Sequence, residues 1–289
     1  MSWDIEEKTV IVTGASSGIG AEAAVELASR GARVVAVGRD PERLARVTER
    51  IRAAGGGVPV GSATADFASL AAVHRLAADL LKRYERIDVL VNNAGLISGH
   101  RTLTEDGHET TFAVNHLAPF LLTNLLLDRL KASVPARVVT TSSDAHGSGR
   151  IDFDDLDGKR SWSSWRAYCN SKLANILFTR ALARRLPDHD LAVNCLHPGV
   201  VRTRLGYGGS GLLSAGWALG RPFFTSARRG ARTIVDLASA PGAGDFSGLY
   251  FANSRPAPMS PVAADDEVGE RLWEVSEALT GLSRERPRA

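Results

Sequence analysis

The sequence predicts an α/β fold, a doubly wound parallel sheet of about seven strands with helices on both faces. Three observations carry this prediction. Short β-rich runs alternate with segments of helical periodicity. The run IDVLVN at 87–92 is continuously apolar, as in a sheet buried on both faces. A glycine-rich turn at 14–20 separates the first predicted strand from the first helix. With 289 residues, 44% of them hydrophobic, we expect a single domain spanning 1–289.

In the N-terminal half, each β-rich run leads into a helical segment. KTVIVT precedes the glycine turn and AEAAVELASRG, and RVVAVGR precedes a helix that Asp40 caps and Pro41 begins. The strands predicted here are 8–13, 33–39, 58–66 and 87–92, and the helices are 21–31, 42–55, 70–83 and segments within 105–130. Such alternation is typical of parallel strands joined by crossover helices.

The C-terminal half continues the alternation and then departs from it. The predicted strands are 137–142, 191–196 and 248–252, and the predicted helices are 165–186, 226–240 and 265–279. Between the sixth strand and the helix at 226–240 the pattern changes, because residues 206–224 combine many glycines with many apolar side chains. No repeats or low-complexity tracts occur.

The turn Gly14-Ala15-Ser16-Ser17-Gly18-Ile19-Gly20 predicts a nucleotide site of the Rossmann type. Gly14 permits a tight turn, Gly18 lets the backbone approach a pyrophosphate, and Gly20 lets helix and strand pack closely. The phosphates would lie over the helix N-terminus. Because the spacing differs from GxGxxG, this motif alone is equally compatible with a purely structural turn.

Tyr168 and Lys172 are four residues apart in RAYCNSKLANILFTRAL, so a helix would place both on one face. A phenol with a pKa of about 10 is a poor acid-base catalyst near neutral pH. A cation at about 4 Å and a dielectric constant of about 20 contributes about 4 kcal/mol, enough to lower that pKa by up to about three units. The pair therefore predicts a proton donor, although an isolated YxxxK is more often ordinary helix surface.

Four motifs in order resemble the short-chain dehydrogenase/reductase family: TGASSGIG, Asn92-Asn93-Ala94-Gly95, Ser143, and Tyr168 with Lys172. The resemblance runs from about residue 8 to about residue 203. Within the family, VNHLAPFLLTNLLL, SSDAHGSG and HPGVVRTRL resemble the branch of retinol dehydrogenases and the WW-domain-containing oxidoreductase, although no WW module is present. The resemblance implies hydride transfer between a nicotinamide cofactor and an alcohol/carbonyl pair.

The resemblance also implies a catalytic group. Ser143 would hydrogen-bond the substrate oxygen, and Tyr168 would exchange the proton. Lys172 would hold the nicotinamide ribose and lower the pKa of the tyrosine, and Asn115 would anchor a water of the proton relay. Ser142 competes with Ser143, because either hydroxyl lies at a predicted strand end.

Cofactor choice depends on the end of the second strand, where an acidic residue selects NAD and an arginine accepts the NADP phosphate. Arg39 and Asp40 both occur there, and Asp40 is expected to act as a helix cap, so we expect NADP(H) rather than NAD(H). The residues expected to bind the cofactor are Gly14, Ser16, Ser17, Gly18, Ile19, Gly20, Arg39, Asp66, Phe67, Asn93, Ala94, Gly95, Tyr168, Lys172, Pro198, Gly199, Val201 and Thr203.

The segment 204–225 predicts a substrate lid, because its glycines give little order while its apolar side chains require cover. Packing into the core, or contact with a membrane or partner, are the alternatives. A lid predicts a lipophilic, retinoid-like or steroid-like substrate. Two other functions stay open: a catalytically silent dinucleotide-binding regulatory protein, and a reductase of small polar carbonyls.

Composition and residue spacing argue against several other classes of protein. A net charge of +3 scattered through the chain argues against nucleic-acid binding. Two cysteines are too few for a disulfide framework, and no histidine has metal-binding spacing, so we expect no metal. His146, just after Ser143, is expected to face either solvent or substrate. With no signal-like or membrane-spanning run, we expect a cytoplasmic protein without a transmembrane segment. A monomer and a homo-oligomer are both compatible with the sequence.

Overall fold

The computed structural model describes residues 3–186, 190–199 and 226–282, which form an α/β domain around one eight-stranded sheet. The strands lie in the order β3-β2-β1-β4-β5-β6-β7-β8. Their bounds are β1 Thr9–Thr13, β2 Arg33–Gly38, β3 Gly61–Thr64, β4 Val89–Asn92, β5 Ala136–Thr141, β6 Leu191–His197, β7 Tyr250–Ala252 and β8 Arg255–Pro256. The first seven are parallel, which confirms the predicted sheet.

The eighth strand was not predicted. It pairs antiparallel with β7 after a turn in which Asn253 and Ser254 have positive φ angles of 50° and 62°. Two exposed residues carry no alternating apolar pattern, so periodicity gives no signal for such a strand.

Seven long helices in the described residues cover both faces of the sheet. They are α1 Gly18–Ser29, α2 Pro41–Ala54, α3 Leu70–Arg83, α4 Thr110–Ala132, α5 Ser164–Arg184, α6 Ala227–Ser239 and α7 Asp266–Thr280. Helices α1, α2 and α6 pack on one face. Helices α3, α4 and α5 pack on the other, and α7 packs on α5. Burial on both faces explains the continuously apolar strands.

Two predicted elements are longer than those observed. The third strand was expected over 58–66 but covers only Gly61–Thr64, because this edge strand pairs with β2 alone, and only over Val35–Gly38. The helix expected within 105–130 begins at Thr110, since the Glu109 side chain caps it by accepting a hydrogen bond from the Phe112 N–H at 2.8 Å.

Helix α4 is the one described helix that is long and apolar enough to cross a membrane. Of its most apolar window, 78% is buried inside the protein, as in the core helix of a folded domain. The predicted lid at 204–225, and the predicted cofactor residues Val201 and Thr203, lie outside the described residues.

The parallel topology gathers the sequence motifs at one edge of the sheet. The carboxyl ends of β1, β4, β5 and β6 carry, in turn, the glycine turn, the segment Asn93–Gly95, the serines at 142 and 143, and residues 197–199. The order 3-2-1-4-5 reverses direction between β1 and β4. Ligands of open α/β sheets bind in the crevice at such a point.

Candidate active site

The glycine turn is packed directly against the segment that follows β4. Gly14 has a φ of +67°, and a Cβ there would lie 2.8 Å from the Ala94 Cα. At Gly20 a Cβ would lie 2.5 Å from the Gly14 carbonyl oxygen. A side chain at either position would therefore displace backbone atoms, so both glycines are required for close packing.

The N-terminus of α1 is suited to bind an anion. The side chain of Ser17, at the N-cap, makes no capping hydrogen bond. The other six long helices of the described ranges all have side-chain caps: Asp40, Ser69, Glu109, Ser163, Ser226 and Asp265. The first-turn N–H groups of α1 are thus left without a capping side chain, at the positive end of the helix dipole.

A groove of about 730 Å³ extends from this helix terminus across the end of the sheet. Eleven of the residues predicted to bind the cofactor line it: Gly14, Ser16, Ser17, Gly18, Ile19, Arg39, Asp66, Phe67, Asn93, Ala94 and Gly95. Gly20 lies buried behind the turn, and Pro198 and Gly199 line a separate pocket of about 610 Å³. The volume of the groove, its glycine lining and the uncapped helix N-terminus together fit a dinucleotide.

Arg39 and Asp40 differ in what they already contact. Asp40 accepts a hydrogen bond from the Arg43 N–H at 3.0 Å and pairs with the Arg43 Nε at 3.0 Å, as the predicted cap of α2. The same N–H holds the pKa of the Asp40 carboxyl below its usual value. Arg39 is exposed in the groove and makes no hydrogen bond or ion pair to any described residue.

Thr13 holds the segment Asn93–Gly95 in place, a role that the sequence analysis missed. Its Oγ1 accepts hydrogen bonds from the N–H groups of Asn93 at 2.9 Å and Ala94 at 3.1 Å, and donates to the Val91 carbonyl at 3.1 Å. The signal for this role in the sequence was a polar residue at the end of an apolar strand, because a buried hydroxyl there requires hydrogen-bond partners.

The central pair of the predicted site lies on α5, with Lys172 buried and Tyr168 partly buried. The Lys172 Nζ lies 5.5 Å from the centroid of the Tyr168 ring and donates a hydrogen bond to the Thr141 carbonyl at 3.1 Å. Asn175, one turn farther along, donates to the same carbonyl at 3.1 Å. The end of β5 therefore orients both side chains.

The pKa of Tyr168 moves opposite to the sequence-based expectation. Burial raises it above its usual value, and a hydrogen bond with Ser143 opposes this effect only in part. Burial also lowers the pKa of Lys172 to about 8. The expectation considered only the attraction between the two groups, whereas burial of the phenol is the largest effect on its pKa. The Lys172 ammonium, 5.5 Å from the ring centroid, donates instead to the Thr141 carbonyl.

The two candidate serines have different surroundings. Ser142 is buried and donates a hydrogen bond to the Lys172 carbonyl at 2.7 Å, so it joins the end of β5 to α5. Ser143 is partly exposed and precedes the short 3-10 turn Asp144–Ser148, where its hydroxyl accepts a hydrogen bond from the Ala145 N–H at 3.2 Å. Of the two, Ser143 is the one whose hydroxyl acts on the pKa of the Tyr168 phenol, which it lowers.

Asn115 lies in a π-helical turn, Ala113–Leu117, within α4. Its carboxamide accepts a hydrogen bond from the Leu96 N–H at 2.8 Å and donates to the Leu96 carbonyl at 2.9 Å. It also donates at 3.0 Å to Ser171, whose hydroxyl bonds the Tyr168 carbonyl. Such π-turns frequently mark functional sites, and this one connects the groove wall to the tyrosine.

A polar cluster anchors the turn that carries Ser143. His146 is buried, unlike either sequence-based expectation, because its Nδ1 bonds the Ser143 carbonyl at 2.8 Å and its Nε2 accepts from the Ser260 N–H at 3.1 Å. The Tyr250 hydroxyl donates to Asp144 at 2.5 Å, and the His197 Nε2 lies 3.1 Å from the other oxygen of that carboxylate. These contacts hold β6 and β7 against the turn that carries Ser143.

Among the described residues, no group of three or more His, Cys, Asp or Glu side chains is arranged to hold a metal ion. The expectation of a metal-free protein stays a prediction, because residues 200–225, among others, lie outside the described part of the chain.

We expect the affinity for a nicotinamide dinucleotide to fall as the pH rises through about 8. Lys172 carries the predicted ribose contact, and above its lowered pKa of about 8 it loses its charge. The contribution of Lys172 to the free energy of unfolding should rise instead between about pH 8 and 10.5, because there the unfolded chain binds more protons. Weaker dinucleotide binding above pH 8 would thus not come from a loss of stability through Lys172.

Fluorescence titrations from pH 7 to 10 test this expectation. The Lys172→Met variant should bind the dinucleotide more weakly, and its affinity should show no inflection near pH 8. Arg39 stays charged throughout this pH range, so it contributes no inflection of its own. A wild-type affinity that is constant with pH would contradict the predicted role of Lys172.

Known proteins resemble the chain over nearly its whole length. The family model for short chain dehydrogenases matches residues 8–207. Human retinol dehydrogenase 13 is 44% identical over 98% of this chain and 88% of its own length. A candidate daunorubicin C-13 ketoreductase, DnrU, from Streptomyces sp. (strain C5) is 46% identical over 95% of this chain and 93% of its own.

Solved structures agree with the sequence relatives. An uncharacterized protein from Mycobacterium paratuberculosis superposes with a TM-score of 0.78 at 34% identity, over 97% of this chain and 96% of that chain. A short chain dehydrogenase candidate from Shigella flexneri 2a, complexed with NADP, gives a TM-score of 0.66 at 25% identity, over 88% and 100%. The chain therefore belongs to the short-chain dehydrogenase/reductase family, in its retinol dehydrogenase-like branch, and is an oxidoreductase that uses a nicotinamide dinucleotide.

Proposed function

We propose that this protein is an NADP(H)-dependent oxidoreductase that interconverts an alcohol and a carbonyl on a lipophilic substrate. The observation that carries the cofactor assignment is the free guanidinium of Arg39 in the groove, next to an Asp40 already engaged as a helix cap. A guanidinium binds a phosphate through two parallel hydrogen bonds and keeps its charge. The NADP complex of the Shigella flexneri neighbour supports the same assignment.

Ser143 and Tyr168 would bind the reacting oxygen of the substrate through two hydroxyl groups. A bound nicotinamide supplies the hydride for reduction and accepts it for oxidation. Because burial raises its pKa, Tyr168 keeps its proton near neutral pH and can donate it to the oxygen as negative charge develops there. In the reverse direction, alcohol oxidation, the same phenol would accept the proton as a phenolate.

The proposed lipophilic substrate is supported by the apolar composition of residues 206–224 and by the names of two relatives. Those relatives are named for retinol, a largely apolar alcohol, and for daunorubicin, whose C-13 carbonyl is attached to a large polycyclic ring system. The predicted lid at 204–225 would bury such a framework at about 25 cal/mol per Å² and exclude water from the reaction.

A series of straight-chain aldehydes tests the function and the substrate class together. We expect NADPH-dependent kcat/KM to rise up to about fourfold for each added methylene, since burying one contributes about 0.8 kcal/mol. Trp217→Ala, in the predicted lid, should flatten the series without changing the affinity for NADPH. The rates of wild type and of Trp217→Ala are measured from the absorbance of the nicotinamide.

Each alternative has its own signature in this experiment. A flat wild-type series contradicts the lipophilic substrate, and a series unchanged by Trp217→Ala contradicts the lid. Tight NADPH binding without turnover of any aldehyde or alcohol favours the silent regulatory protein. Activity confined to short polar carbonyls favours the reductase of small polar carbonyls. The cytoplasmic location and a homo-oligomeric state stay predictions.

A further inference from the structure

Trp165 is the most exposed of the large apolar side chains in the described part of the chain. It is 49% exposed, against 46% for Leu103 and 40% for Phe246 and Val262. It lies in the first turn of α5, three residues before Tyr168, so both side chains project from the same helix face. The two ring centroids are 6.1 Å apart at an interplanar angle of 36°. An open indole face thus borders the proton donor.

The position of this indole is set by the helix start and not by contacts of its own ring nitrogen. Ser163 caps α5 by accepting from the Arg166 N–H at 3.3 Å, and the Ser164 hydroxyl bonds the Ser98 carbonyl. The Trp165 Nε1 has no hydrogen-bond partner among the described residues. Trp162 differs, because its Nε1 donates to Glu109 at 3.3 Å and its ring packs on Gly158.

We propose that Trp165 is the surface against which the substrate places a planar aromatic or conjugated group, and that it selects aromatic carbonyls over saturated ones of equal size. The inference rests on the proposed function and specifies its substrate class. Aromatic rings attract one another at centroid separations of 4.5–7 Å beyond the gain from buried area. Because the indole lies 6.1 Å from the phenol ring, a planar group on a carbonyl held by Tyr168 would lie beside the indole.

The test compares benzaldehyde with cyclohexanecarbaldehyde, which have the same number of carbon atoms but differ in planarity. Their kcat/KM ratio is measured with NADPH in wild type, Trp165→Leu and, as a control, Phe246→Leu, which removes an exposed aromatic ring away from the site. Comparing ratios cancels the intrinsic reactivity of each aldehyde. We expect Trp165→Leu to lower the aromatic-to-saturated ratio about three- to tenfold and Phe246→Leu to leave it unchanged.

The outcomes separate the inference from the function on which it rests. A kcat/KM ratio unchanged by Trp165→Leu overturns the role of Trp165. This holds both when the two activities are retained and when they fall equally, since a merely structural role predicts an equal fall. Unchanged NADPH affinity and melting temperature in Trp165→Leu establish that the variant is folded. Absence of turnover with every carbonyl in wild type contradicts the proposed function itself, and the inference with it.

Discussion

Tyr168→Phe should lower kcat by at least about 100-fold, the minimum contribution expected of a general acid-base catalyst. The substitution removes the hydroxyl that would exchange the proton and keeps the ring that packs beside Trp165 and Lys172. Affinity for the cofactor should stay nearly unchanged, because the groove residues are intact. Steady-state kinetics with NADPH and a reactive aldehyde, together with fluorescence titration of NADPH, measure the two quantities separately.

Tyr84→Phe is the matched control for this substitution. Tyr84 is partly buried, and its hydroxyl accepts a hydrogen bond from Arg83 at 3.0 Å beside the end of α3, outside the residues that line the groove. Its loss should leave kcat nearly unchanged, because that hydroxyl contacts neither the groove nor Tyr168. If Tyr168→Phe kept more than about a hundredth of the wild-type kcat, a proton-donating role for Tyr168 would be wrong.

Arg39→Ala should lower kcat/KM with NADPH about 10- to 100-fold, because hydrogen bonds to charged groups contribute about 1.5–3 kcal/mol. Activity with NADH should stay nearly constant, since that cofactor lacks the phosphate. The wild-type enzyme should accordingly prefer NADPH. Initial rates with both cofactors, at saturating aldehyde, give the two values of kcat/KM directly.

The control for Arg39 is Arg46→Ala, on the exposed face of α2. It removes the same charge from the same region, but Arg46 is not among the groove-lining residues. A similar loss in both variants would indicate long-range electrostatics instead of phosphate binding. An equal loss with NADPH and NADH in Arg39→Ala, or a wild-type preference for NADH, would overturn the NADP(H) assignment.

Local pattern was sufficient for most of the fold. Strands β1, β2, β4 and β5 were predictable because each is a buried, largely apolar run that leads through a turn or loop into a helical segment. The cap at Asp40 was predictable because a carboxylate before a proline has a well-defined local geometry. The eighth strand was not, since two exposed residues carry no periodic signal. Nor was the start of α4, which a single capping side chain, Glu109, determines.

The sequence by itself predicted which residues form the site, because the motif of four segments lies along the chain and needs no knowledge of contacts. Only the tertiary structure decided what each of these residues touches. The Ser142 hydroxyl donates to the Lys172 carbonyl, Ser143 is partly exposed, and His146 is buried against the turn that carries Ser143. The pKa of Tyr168 is raised and not lowered, because desolvation depends on all the atoms packed around a group, and sequence spacing reports only the nearest of them.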